Sequence, residues 1–319
     1  MKRALIVGID EYPNSPLTGS VNDANKMYNI LSKNQDGSSN FECKKLIAPQ
    51  GSSLDLVNRP KLREHLEDLF VNKAEVALFY FSGHGALRRF EGFLVTQDAT
   101  NYDEGVEMRY ILNLTNTSSI NEIVIILDCC YSGSLGSIPE VKDEHVLLKE
   151  GVSILTASRE SQTAIEMSGA GVFTSKVYNA LDGGAADILG NVNVASIYSY
   201  VDQILGAWDQ RPLFKSYVSQ LIPLRKCKPI IDLPLLRLLP EYFSSPTNEI
   251  KLDHSYEPTE NPRDTEKEKI FGHLQKYRAA RLLEPVGEEH MYFAAMNCKS
   301  CKLTPLGQFY WNLAQKGTL

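Results

Sequence analysis

The chain has 319 residues, 43% of them hydrophobic, enough for one large domain and one small one. Its formal charge of −6 and pI near 5.6 argue against a protein that binds nucleic acid over its whole surface, because phosphate contacts call for a basic excess. No apolar run is long enough to span a bilayer, and the six cysteines, at 43, 129, 130, 227, 298 and 301, lack the density of a disulfide scaffold, so a cytoplasmic protein with reduced thiols is expected.

Residues 4–9 read as a buried strand, entered directly from Met1-Lys2-Arg3 without the core of a secretory signal. A loop with Pro13, Pro16 and Gly19 leads to a helix in which Ala24, Met27, Tyr28 and Leu31 recur at helical spacing, with Asn22 or Asp23 placed to cap it. A weak strand at 44–47 precedes a second helix from Pro60, striped by Leu62, Leu66, Leu69 and Phe70. The run 76–81 is uninterruptedly apolar, the mark of a strand buried on both faces, and it ends in Ser82-Gly83-His84-Gly85. Residues 92–95 form a short β element and 102–107 an acidic loop. A second apolar run, 123–127, ends in Asp128-Cys129-Cys130-Tyr131-Ser132-Gly133. Beyond a polar stretch, 152–156 gives a strand, Gly171-Val172-Phe173-Thr174 opens a helix, and 194–208 forms another before Gln210-Arg211-Pro212 and the apolar 217–224. This alternation predicts an α/β domain over residues 1–225, with a predominantly parallel sheet flanked by helices.

Residues 226–264 read as a linker with one apolar piece at 233–243, the remainder being rich in Ser, Pro, Asn and acids. In the tail, 265–319, a helix carries Ile270, Leu274 and Tyr277, residues 291–296 read as a strand, and Thr304-Pro305 starts a last helix. The order predicts a small α+β module of winged-helix type. Eight Lys or Arg against five Asp or Glu make it mildly basic, and protein docking or autoinhibition is favoured over nucleic-acid binding. Cys298 and Cys301, with His290 nearby, make half a zinc site without a second pair, so a turn with packed thiols is expected and no metal is assigned.

A parallel sheet delivers the C-terminal ends of its strands to one edge, so His84 and Cys130 converge there. A cysteine attacks a carbonyl as thiolate, and an imidazole can take its proton and return it to the leaving amine. Together with residues 4–8, Asp10, Tyr12-Pro13, Leu17 and Val21-Asn22-Asp23-Ala24, the two motifs resemble those of the caspase-like cysteine peptidases, most closely the metacaspase and bacterial orthocaspase branch. The resemblance covers roughly residues 1–225.

What the resemblance implies is an endopeptidase with His84 as general base and acid, Cys130 as nucleophile, and an oxyanion hole from the backbone N–H groups of Gly85 and Cys130. Its first pocket would hold Arg or Lys of a peptide or protein substrate between Asp23 and Asp128, with Ser82 at the wall. Cys129 would be an inert spacer facing the other side of the strand. Some relatives bind calcium through adjacent aspartates; Asp98, Asp103, Glu104 and Glu107 include no such pair, so calcium independence and no cofactor are expected. Lys142 and Lys149 are candidate self-cleavage sites, and a role in bacterial defence or regulated death is a further implication. The rival readings are a catalytically silent scaffold and a DNA-binding regulator acting through the tail.

Overall fold

The computed structural model describes residues 1–51, 56–88, 91–100, 103–129, 148–157, 166–167, 170–205, 212–259 and 264–319, which fall into two compact units. The first comprises Met1–Ala186 and Asn191–Lys228. Its elements are β1 (Lys2–Ile9), α1 (Ser20–Ser32), β2 (Phe41–Ala48), α2 (Arg59–Val71), β3 (Val76–Gly83), β4 (Gly85–Arg88), β5 (Glu91–Thr100), β6 (Asp103–Glu107), α3 (Met108–Thr117), β7 (Glu122–Cys129) and β8 (Val152–Thr156). There follow the two-residue pair β9 (Glu166–Met167) and β10 (Ala170–Gly171), then α4 (Val172–Asn179), β11 (Asn191–Val192), α5 (Val194–Ile204), β12 (Leu213–Tyr217) and β13 (Arg225–Lys226).

Six strands form the central sheet in the order β12-β8-β7-β3-β1-β2, all parallel except β12 at one edge. This is the expected mixed α/β architecture. The two strands read as doubly buried, β3 and β7, lie side by side at its centre, and every residue of both is buried. Alternation sorts their side chains. Phe79, Phe81, Ile125 and Leu127 pack with Leu66 and Phe70 of α2 and Ile111 of α3, whereas Leu78, Tyr80, Val124 and Ile126 pack with Met27 of α1, Val177 of α4 and Ile197 of α5.

Helix α1 begins at Ser20, earlier than expected, and neither Asn22 nor Asp23 caps it. The carboxylate of Asp10, at the end of β1, instead accepts the N–H groups of Ser20 (2.8 Å) and Val21 (3.3 Å), neutralising two donors that the helix cannot satisfy itself. Asp23 is thereby left in the first turn with its side chain turned into the fold. The acidic stretch expected as a loop is strand β6, because Phe93, Leu94 and Val95 of β5 pair with Glu107, Val106 and Gly105. Helix α3 follows it; its polar Asn and Thr residues mask the buried Met108, Ile111 and Leu112.

The second unit, Asp187–Gly190 with Pro229–Leu319, contains α6 (Leu233–Arg237), α7 (Leu239–Tyr242), β14 (Glu249–Lys251), α8 (Thr265–Ala279), β15 (Leu283–Val286), α9 (Met291–Met296), β16 (Ser300–Leu303) and α10 (Pro305–Lys316). Its three strands form an antiparallel sheet, β14-β16-β15. Most of the expected linker belongs to this unit, since Ile231, Leu236, Leu239, Phe243 and Leu252 share one core with Phe271, Leu274 and Tyr277. Residues 291–296 are a helix rather than a strand: Met291, Ala294 and Ala295 are buried at i, i+3, i+4 while Tyr292 and Phe293 are exposed. Cys301 is buried within β16, and Cys298 is exposed in a left-handed backbone conformation (φ 50°). Among the described residues, no group of three or more His, Cys, Asp or Glu is arranged to hold a metal ion, and no helix is long and apolar enough to cross a membrane.

The seat of α1 on the sheet requires Gly8, where a Cβ would stand 2.5 Å from the Ser20 carbonyl oxygen and 2.6 Å from Ala24 Cβ. Gly8→Ala should therefore lower the stability of the first unit by about 2 kcal/mol or more, read as a lower urea midpoint at unchanged slope.

Candidate active site

The β3–β7 pairing sets Ser82 opposite Asp128 and Gly83 opposite Cys129. His84 is the next residue after the β3 end of this register. Cys130, next after β7, lies outside the described residues, as does Lys142. Cys129 is buried with Leu127 and Ile125 in the core under α2 and α3, on the face opposite to Asp128.

The loop between β1 and α1 holds His84. Its Nε2 lies 2.7 Å from the carbonyl oxygen of Ser15; because a carbonyl can only accept, Nε2 carries the proton and Nδ1 is left as the basic nitrogen. The ring packs at a tilt against Tyr12, with centroids 4.6 Å apart. The His84 N–H donates to the Tyr12 hydroxyl at 3.0 Å, and the Tyr12 hydroxyl donates to the Val95 carbonyl at 3.2 Å. On the other side of His84, Gly85 opens β4 opposite Leu94. The Val95 N–H donates to the His84 carbonyl at 3.0 Å, so by the alternation of antiparallel ladders Gly85 and Leu94 form a pair without mutual hydrogen bonds. The Gly85 N–H thus points away from β5.

The expected specificity carboxylates do come together. Gly171, at the entrance to α4, stands between them: a Cβ there would lie 2.4 Å from Asp128 Oδ2 and 3.0 Å from Asp23 Oδ2. Asp23 Oδ2 accepts the Gly171 N–H at 2.8 Å. Asp128 Oδ2 accepts the hydroxyl (2.6 Å) and N–H (3.2 Å) of Thr174, whose oxygen also meets the Tyr80 hydroxyl at 2.6 Å. Ser82, buried, is on the same face of the sheet. Among the described residues, Asp23 Oδ1 is buried without a hydrogen-bond partner, and Lys26 Nζ stands 4.0 Å from it. Burial, and then the neighbouring Asp128 charge, push the Asp23 carboxyl up to about 7 against the pull of the Gly171 N–H. Gly171 and Thr174 were legible only as a helix start, and the carbonyl of Ser15 leaves no trace in residue identity.

The remaining candidates lie elsewhere. Lys149 is at the far end of the sheet, where its ammonium bonds the carbonyls of Ser118 and Ile120 just ahead of β7. The acidic residues considered for calcium are already paired: Arg59 with Asp103 and Glu107, Arg63 with Glu107, Arg88 with Glu104, and Asp98 with the Arg59 N–H and the Thr96 hydroxyl. A divalent ion would have to displace these guanidinium groups and the donors on Asp98, so this set does not fit calcium.

A carboxyl whose folded pKa exceeds its unfolded value of about 3.9 adds stability at low pH, and that stability is lost as pH rises through the folded value. Relative to Asp23→Asn, the wild-type chain should therefore lose on the order of 2 kcal/mol between pH 5 and pH 8, measured by denaturation at both pH values.

Many solved structures share the fold, two of which serve for comparison. A protein from Geobacter sulfurreducens is 13% identical, with a TM-score of 0.51 over 71% of this chain and 99% of its own. Caspase-1 from Spodoptera frugiperda is 11% identical, with a TM-score of 0.52 over 70% of this chain and 92% of its own. No curated protein matches the chain. The family model for the caspase domain, peptidase C14, matches residues 1–221, spanning the central sheet and the carboxylates gathered at Gly171. The chain belongs to this caspase-domain family.

Proposed function

We propose that the protein is a cysteine endopeptidase that cleaves after Arg or Lys. The observation that carries this reading is the pair of buried carboxylates flanking Gly171, with one Asp23 oxygen that no donor among the described residues satisfies. Burying two acids side by side is costly unless a cation joins them, and a guanidinium or ammonium from substrate supplies that charge. An aspartate in the same place would add a third carboxylate and be repelled.

In this reading His84 Nδ1 takes the proton of the Cys130 thiol as sulfur attacks the scissile carbonyl carbon. The oxyanion of the tetrahedral adduct accepts the N–H groups of Gly85 and Cys130. The adduct collapses with the proton passing from His84 to the leaving amine, and water, deprotonated by His84, then hydrolyses the thioester to release the carboxylate product and the thiol. The second unit serves as a regulatory docking module of winged-helix type, and the setting is a cytoplasmic defence or death pathway. The docking role rests on the element order and charge of the tail, and the pathway on the resemblance of residues 1–225.

Incubation with fluorogenic peptides ending in Arg, Lys, Asp or Ala tests the reading. Cleavage is expected after Arg and Lys alone, equally with calcium or chelator. It should fall by at least about 10³-fold in Cys130→Ala and His84→Ala, and Asp128→Asn should raise KM for the basic peptides by about tenfold or more. A preference for Asp, or activity surviving in Cys130→Ala, would overturn it.

A further inference from the structure

Tyr12 occupies a place where a backbone hydrogen bond belongs. Gly85 lies opposite Leu94 in the β4–β5 ladder, and extending that register by one residue makes His84 and Val95 a hydrogen-bonded pair, which normally exchanges two bonds. One is made directly, from the Val95 N–H to the His84 carbonyl at 3.0 Å. In the other, the Tyr12 hydroxyl is inserted, accepting the His84 N–H at 3.0 Å and donating to the Val95 carbonyl at 3.2 Å. The insertion depends on Gly83, where a Cβ would stand 2.6 Å from that hydroxyl. The ring of Tyr12 also braces the imidazole, and Ser15, three residues on in the same loop, holds its Nε2.

We propose that Tyr12 is a positioning residue for His84: its hydroxyl, built into the β4–β5 ladder, keeps the His84 backbone one oxygen's width from β5 and so sets where the imidazole stands. The inference rests on the peptidase reading. Without the hydroxyl, an N–H and a carbonyl would face each other unpaired. Because unpaired groups, even partly buried, are costly, they close to a direct bond and carry His84 with them. A displacement of about 1 Å at a reacting group is enough to cost about 10²-fold in rate.

The test is Tyr12→Phe in the full chain. Its kcat on the preferred peptide should fall by about 10- to 100-fold while KM stays within about threefold. The concentration of active centres, titrated with an irreversible peptide electrophile, should not change. Gly83→Ala, which crowds the hydroxyl out, should show the same split, and the double variant should add little to either single one. An unchanged kcat in Tyr12→Phe overturns the proposal, and so does a loss fully accounted for by fewer active centres. If the wild-type chain cleaves none of the peptides, the peptidase reading has failed. The positioning claim is then decided by the imidazole ¹⁵N resonances of His84: a single Nε2–H tautomer giving way to a mixture in Tyr12→Phe supports it, and identical spectra overturn it.

Discussion

The parallel pairing of β3 with β7 is the constraint on which every other feature of the first unit depends. It puts Ser82 beside Asp128 and Gly83 beside Cys129, so the chain leaves both strands at the same height. Side chains in a strand alternate between faces, and a slip of one residue in either strand would exchange its entire set. Such a slip in β7 would turn Asp128 toward α2 and α3 and Cys129 toward Thr174. The register is held by burial on both faces, where Tyr80, Phe79 and Phe81 are fully enclosed among aliphatic neighbours.

Helix α1 and the entrance to α4 complete what the sheet begins. Gly8 admits α1 close to β1, Asp10 satisfies its first N–H groups, and Asp23 is left to turn inward. From the other side, the N-cap Gly171 and Thr174 in the first turn of α4 offer their N–H groups to Asp23 and Asp128, as a helix N-terminus does for anions. These N–H groups partly stabilise the carboxylates, while burial still raises the Asp23 carboxyl above its ordinary value. The histidine is held differently, by a hydroxyl and a carbonyl of one loop, which orient it without adding charge.

Much of this was legible in residue order. The apolar runs 76–81 and 123–127 announced doubly buried strands, and the residues after them announced a shared edge. Other elements were hidden for identifiable reasons. Strand β6 is rich in acids and looks like a loop until Arg59 and Arg63 neutralise it from α2. Residues 291–296 are so uniformly apolar that only the burial of Met291, Ala294 and Ala295, with two aromatics outside, distinguishes helix from strand. The expected linker was judged by its polar residues, whereas its few leucines and Phe243 decide where it packs.

By itself the sequence determined the mixed α/β class and the strands that bear the candidate residues, while the grouping of Asp23 and Asp128 with His84 was implied by the resemblance. Periodicity and motif spacing are local properties, and each residue carries its share of them. Only the tertiary structure decided that Asp10 rather than Asn22 or Asp23 serves the start of α1, that Gly171 separates the two carboxylates, and that Tyr12 completes the ladder at His84. Those are contacts between residues 10 to about 150 positions apart, many through backbone atoms that every residue shares. Residue identity does not record where a backbone N–H or carbonyl will point, and the site is held largely by such groups.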